Sequence, residues 1–312
     1  LWPISVSRKK CGRTFSTVIE LMKHYPDYYF FQSQPALYTF AREDYPELYK
    51  KIKKRVREGR WEANGATWVE MDTNVPSGES LVRQFLYGKR FFKEEFGYDS
   101  RVLFLPDVFG YSWALPQIMK KSGVDNFVTT KISWNQYNKM PFDLFRWKGI
   151  DGSEVLTAFI TTSRPGNDEE RHTYNGEISA SHVKGVWSNF QGKNYTDEVL
   201  LAFGEGDGGG GPYKEMLERA RRYKNMKGLP ITQQGRVDDY FKRVQKKYSD
   251  FPVWNNELYF ELHRKTYTTQ ADTKKNNRLS EIMLHDAELW SSLAAIIGKA
   301  YPEDTIAKCW KD

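Results

Sequence analysis

Three polar residues stand where an apolar run gives out. Asp107 follows Val102-Leu-Phe-Leu105-Pro106, Asp207 follows Val199-Leu-Leu-Ala-Phe203 and the turn Gly204-Glu-Gly206, and His263 follows Leu258-Tyr-Phe-Glu-Leu262. In parallel α/β sheets ligands bind beyond the C-terminal ends of the strands, so acids and histidines at such tips are candidates for chemistry. Two carboxylates facing one pocket are what glycoside hydrolysis requires: one attacks the anomeric carbon or activates water, and the other protonates the leaving oxygen. A histidine beside a strand-tip aspartate also begins a divalent metal site, because zinc takes imidazole nitrogen and carboxylate oxygen. Asp107 and His263 make only two ligands, where zinc normally takes three or more from the protein.

Each residue has a plainer reading. Asp107 fits a helix N-cap or loop aspartate, and His263 fits a hydrogen-bonded core histidine. The run Gly208-Gly-Gly-Gly211 beside Asp207 resembles a phosphate-cradling loop, yet it lacks the Lys-Ser/Thr of a P-loop and the spacing of a dinucleotide fingerprint. Four consecutive glycines suit a backbone that must come close to a ligand.

The elements around these residues alternate. Apolar spacing expects helices over Thr14 to Lys23, from Pro46 onward, and over Glu79 to Phe96, Leu115 to Lys121, Val183 to Phe190, Tyr213 to Lys224 and Val237 to Tyr248. Strands are expected at Tyr28 to Gln32, Trp61 to Val69, Arg101 to Leu105, Asn126 to Thr130, Val199 to Phe203 and Leu258 to Leu262. Asp151-Gly152 between Phe145 to Gly149 and Ser153 to Ile160 reads as a β-hairpin turn, and the hairpin as an insertion near a barrel mouth. Pro165 to Asn175 is polar and reads as a loop. From Ala271 to Gly298 the near-heptad row Leu279, Ile282, Met283, Leu289, Leu293 and Ile296 suits a bundle helix, which sets a boundary near residue 270.

Composition bounds the rest. With 312 residues, 39 % hydrophobic and 15 % aromatic, the chain can bury a substantial core. Its net charge of +7 is spread over helices that also carry Glu and Asp, so it reads as solvated helix faces and not as a nucleic-acid surface. The two cysteines, Cys11 and Cys309, argue against a disulfide framework and suit a reducing compartment. No apolar run reaches 18 residues, so no membrane-spanning helix is expected.

Several long motifs, in order, carry a resemblance. Leu105-Pro-Asp107-Val-Phe-Gly-Tyr-Ser112 with Leu115-Pro-Gln-Ile118 looks like the nucleophile motif of the class II α-mannosidases, glycoside hydrolase family 38. Trp68-Val-Glu-Met-Asp72 with Pro76-Ser-Gly-Glu-Ser80, Phe203 to Pro212, and Glu257 to Arg264 resemble three further blocks of that family. The resemblance implies an α/β fold: a seven-stranded-type parallel β/α barrel lacking its first strand over 1–270, then the first helix of a helical bundle over 271–312. It implies a fragment truncated at both ends and inactive by itself.

For the complete protein it implies a retaining exo-α-mannosidase acting on mannose-containing oligosaccharides by double displacement. Asp107 matches the nucleophile and Asp207 the general acid/base. Asp107 and His263 match ligands of a zinc ion, with cobalt as a possible substitute. The remaining ligands, a His-x-Asp pair, would precede Leu1-Trp2-Pro3. Glu70 and Asp72 are candidates to line the sugar site, with a structural loop role as the alternative. Lys265 departs from the glycine more often found after the His-Arg pair. The alternative function is a non-catalytic mannoside-binding relic of the same fold. Neither a nucleic-acid nor a membrane partner is implied, and homo-oligomers would form through domains outside this chain. The Pro-Asp-Val-Phe-Gly-Tyr form of the motif resembles the cytosolic and vacuolar branch, implying a cytoplasmic location with a vacuolar or lysosomal lumen as the alternative.

Overall fold

The computed structural model describes residues 2–163 and 172–312. The segment read as a loop from Pro165 to Asn175 therefore lies outside the described residues except for 172–175.

The chain starts with α1 (Ile4–His24), ten residues ahead of its expected start. The apolar rhythm begins only at Cys11, but Pro3 takes the N-cap and the Lys- and Arg-containing stretch before Cys11 extends the helix. Next come β1 (Phe30–Gln32), α2 (Pro35–Asp44), α3 (Pro46–Arg57) and β2 (Trp61–Ala63). Helix α2 is not among the expected elements, although Pro35 sits in its first turn and Tyr38 and Ala41 are buried. Strand β2 is a third of its expected length. The chain turns at Gly65 and Ala66, both at positive φ, and Ala66 at 67° is an uncommon conformation for a residue with a Cβ.

Helix α4 (Gly78–Phe96) is closed at its start by the Ser77 hydroxyl, which accepts from the Ser80 N–H, and at its end by Gly97 in the left-handed region. Then follow β3 (Val102–Phe104), α5 (Leu115–Lys121), β4 (Asn126–Thr129), a 3₁₀ turn over Lys131–Trp134, β5 (Leu144–Lys148) and β6 (Glu154–Phe159). The rest is α6 (Ala180–Asn189), α7 (Lys214–Tyr223), α8 (Val237–Lys247), β7 (Val253–Trp254), α9 (Lys265–Thr268), α10 (Ala271–Ile296) and α11 (Glu303–Lys311).

Among the described residues the strands form two sheets. One pairs β1 with β2 in parallel; the other has the order β3-β4-β6-β5-β7, parallel except between β5 and β6. Among the described residues these strands do not close into a barrel. The sheets meet edge to edge through side chains: Phe31 lies against Phe104 at 4.5 Å between ring centroids, and the Gly65 N–H donates to Ser100 Oγ at 3.2 Å.

Three expectations are corrected here. The β5–β6 hairpin is no insertion, because β6 pairs with β4 and puts the hairpin inside the main sheet. Val199 to Phe203 forms no strand among the described residues: its apolar side chains are half-buried, and only one bridge, Gly176 to Phe203, joins it to a neighbour. Leu258 to Leu262 likewise holds a single bridge, from Leu258 to Tyr111. An apolar run supplies the burial of a strand, but a strand also needs a neighbour to complete its ladder.

Helix α10 lies on the start of α4 through polar groups. Glu281 Oε1 accepts from the Ser77 N–H at 2.8 Å and from Ser80 Oγ at 2.7 Å. Arg83 forks onto both oxygens of Glu288, at 2.9 and 2.6 Å. No helix among the described residues is long and apolar enough to cross a membrane.

Candidate active site

The buried strand β3 and Leu105 lead through Pro106 to Asp107, which stands at the C-terminal end of the sheet as the strand-tip rule requires. The turn around it is fixed from below: the buried Tyr111 hydroxyl lies 2.8 Å from the Leu105 carbonyl oxygen and 2.6 Å from that of Val108. Gly110, at φ 112°, lets the chain pass Asn74, whose amide donates to the Gly110 carbonyl at 3.1 Å.

Strand β4 runs parallel to β3 and ends beside it, and Lys131 follows it by two residues. Its ammonium donates to Asp107 Oδ1 at 2.8 Å, and it also sits 3.7 Å from the centre of the Trp134 ring. The lysine side chain is only 11 % exposed and that of Asp107 30 %, so the pair is sheltered well beyond an ordinary surface ion pair. The Tyr174 phenol lies near the same group. Burial first, then the negative charges of Asp107, Asp207 and Glu70, raise the proton affinity of that phenol, which places it among all three carboxylates.

Glu70 receives the Ser33 hydroxyl at 2.7 Å. Burial pushes its carboxyl up to about 7, with the charge of Asp107 adding to the effect. Asp72 uses both oxygens on its own turn, accepting from the Asn74 N–H at 3.2 Å and the Val75 N–H at 3.0 Å. That is a loop-shaping role.

Asp207 is exposed on a loop whose next four residues, Gly208 to Gly211, all lie at positive φ. The Gly206 and Asp207 N–H groups both donate to Asn175 Oδ1, at 2.7 and 2.9 Å. Lys10 of α1 donates to the Gly208 carbonyl at 2.8 Å and Arg13 to that of Gly209 at 3.0 Å. The glycines let the backbone lie directly on α1: a Cβ at Gly209 would come within 2.8 Å of Thr14 Oγ1. The neighbour this backbone approaches is a helix.

A cleft of about 1840 Å³ is lined by Glu70, Asp72, Asp107, Tyr174 and Asp207 among others. His263 is not among its lining residues. It lies at φ 62°, with its ring against Phe109 (5.1 Å), Phe260 (5.2 Å) and Trp134 (6.3 Å). Burial first, then the charge of Lys131, lower its proton affinity, and the charge of Asp107 partly offsets this. Among the described residues no three His, Cys, Asp or Glu side chains gather as a metal site. Asp107 and His263 are two donors, one of them engaged by Lys131, and by themselves they do not complete a tetrahedral shell.

Comparison with known proteins decides the family. Residues 1–257 match the glycosyl hydrolases family 38 N-terminal domain, and residues 261–312 the alpha mannosidase middle domain. The chain belongs to glycosyl hydrolases family 38. It is 44 % identical over 311 residues to alpha-mannosidase G of Dictyostelium discoideum and 40 % identical over 325 residues to an alpha-mannosidase of Saccharomyces cerevisiae. Both matches cover all of this chain, but only 28 % and 29 % of those relatives. The crystal structure of an alpha-mannosidase from Enterococcus faecalis superposes with a TM-score of 0.75 over 97 % of this chain and 35 % of that one, at 18 % identity, a likeness of fold.

Asp107 and Asp207 thus share one cleft with Glu70 and Asp72, while His263 is not among the residues that line it. Lys131 and Tyr174 are not among the candidates that the sequence singles out. Lys131 could have been: it follows a strand by the same rule that selects Asp107. Tyr174 lies in a polar segment with no periodic signal.

Proposed function

We propose that the complete protein is a retaining exo-α-mannosidase that removes terminal α-mannosyl residues from oligosaccharides. The observation that carries the reading is the placement of Asp107 and Asp207 on one cleft in a chain of this family. In the proposed double displacement an Asp107 oxygen attacks the anomeric carbon as Asp207 protonates the departing oxygen. Asp207 then takes a proton from water, which releases the sugar from Asp107 with its configuration kept. Glu70 and Asp72 line the sugar end, and Glu70 can donate or accept a hydrogen bond near neutral pH. A zinc ion, or cobalt in its place, belongs to the proposal only as far as its donors go: Asp107 and His263 supply two, and the others would come from outside the described residues.

The proposed architecture joins the two sheets into a seven-stranded-type β/α barrel over 1–270, lacking its first strand, with α10 opening a helical bundle over 271–312. The edge contact of Phe31 with Phe104 supports it. A cytoplasmic location, or alternatively a vacuolar or lysosomal lumen, completes the proposal; two free cysteines, Cys11 buried and Cys309 exposed, support the first.

The test is hydrolysis of a chromogenic α-mannoside by the protein at the full length of its relatives, with proton NMR of the first-formed anomer. The α-anomer is expected first, and Asp107→Ala is expected to lower kcat on the order of 10⁴-fold. Turnover that survives this substitution, or release of the β-anomer, overturns the reading. Saturable mannoside binding without release would favour the binding relic.

A further inference from the structure

We infer that Lys131 is a positioning residue for the attacking carboxylate: its ammonium, braced on the Trp134 ring, fixes the direction in which Asp107 meets the sugar. This rests on the retaining reading above and assigns it a residue that no motif singled out.

The argument is geometric. A lysine has four rotatable bonds and is a poor positioning device unless something else holds it. Here three things do. Its backbone follows β4, which is locked in parallel register between β3 and β6. Its ammonium rests on the Trp134 ring at 3.7 Å, and the Trp134 indole N–H is anchored to the His172 carbonyl oxygen at 2.8 Å. The third hold is the 2.8 Å bond to Asp107 Oδ1 itself.

Stability does not account for the pair, because sheltered ion pairs seldom outperform apolar residues of similar size. A purely structural carboxylate would also not open onto the cleft, as Asp107 does. A carboxylate about to attack must be held in a near-attack geometry, and a displacement of about 1 Å can cost 10²-fold in rate. The Lys131 ammonium, carried by the chain after β4 and braced on the Trp134 ring, supplies that hold.

The test uses the full-length protein and 5-fluoro-α-mannosyl fluoride. In the labelling step the C1–F bond breaks, fluoride leaves, and a bond forms between C1 and an Asp107 oxygen. Mass spectrometry of the labelled peptide gives the rate. Lys131→Met is expected to label Asp107 about 10²-fold more slowly while retaining the affinity for mannose within about threefold, and Lys131→Arg to return to within about tenfold of the parent. If Lys131→Met melts below the assay temperature, Lys131→Gln takes its place. Labelling of Lys131→Met at the parental rate overturns the assignment and leaves the retaining reading intact. Equal loss in the Met and Arg variants, with mannose affinity falling in step, also overturns it, since that marks a structural role. Failure of the parent itself to label at Asp107 sinks the retaining reading.

Discussion

Asp107 and Asp207 reach the same cleft on opposite kinds of support. Asp107 stands at the end of a buried strand, with its turn latched by Tyr111 and its side chain gripped by Lys131. Asp207 sits exposed on a glycine loop that is held through its backbone, by Asn175 on one side and by Lys10 and Arg13 on the other. The sheet fixes one side chain; the loop fixes a peptide path, and among the described residues no hydrogen bond or ion pair holds the Asp207 carboxylate. A nucleophile needs one defined direction of approach, whereas an acid/base must serve a leaving group and then a water, so the difference matches the proposed division of labour.

The sharpest way to break this comparison is to remove the second carboxylate. Asp207→Asn is expected to lower kcat on an α-mannoside with a poor leaving group about 10²–10⁴-fold, and much less on one with a good leaving group. Equal losses on both substrates would strip Asp207 of the acid role. Next comes the loop beneath it. Gly209 lies at φ 74° and its missing Cβ faces Thr14, so Gly209→Ala is expected to cost about 1–3 kcal/mol in urea denaturation. An unchanged midpoint would mean that the loop tolerates a side chain, and the close approach to α1 would lose its meaning.

The smallest expected effect concerns Glu70. Its folded-state pKa of about 7 lies above the ordinary carboxyl value, so between the two the folded state binds more protons than the unfolded chain. Stability contributed by this group is therefore lost as pH rises toward 7. Glu70→Gln is expected to raise Tm at pH 8 by on the order of 2–4 °C and to leave it unchanged near pH 4. A shift of the same size at both pH values would show that the carboxyl titrates normally.

Much of this site was legible because its parts are local. The strand-tip position of Asp107, the glycines after Asp207 and the long helices α4 and α10 can all be read from spacing alone. What was hidden depends on neighbours far away in sequence. Val199 to Phe203 has a strand's composition but no ladder, and the β5–β6 hairpin looked peripheral because its pairing with β4 cannot be read from a turn. The grip of Lys131 on Asp107 depends on the β3–β4 register, and Tyr174 reaches the carboxylates through a fold that its flanking sequence does not announce.

Glu281 closes the amino end of α4 from 201 residues downstream of Ser80. A ribosome adding about 5–20 residues per second needs roughly 10–40 s to cross that interval. Throughout it, the Glu281 carboxylate cannot be the partner of the Ser77 N–H. Helix α4, made early, therefore waits during synthesis for a carboxylate that emerges much later. The nascent chain acquires this joint only when the two regions are both outside the tunnel.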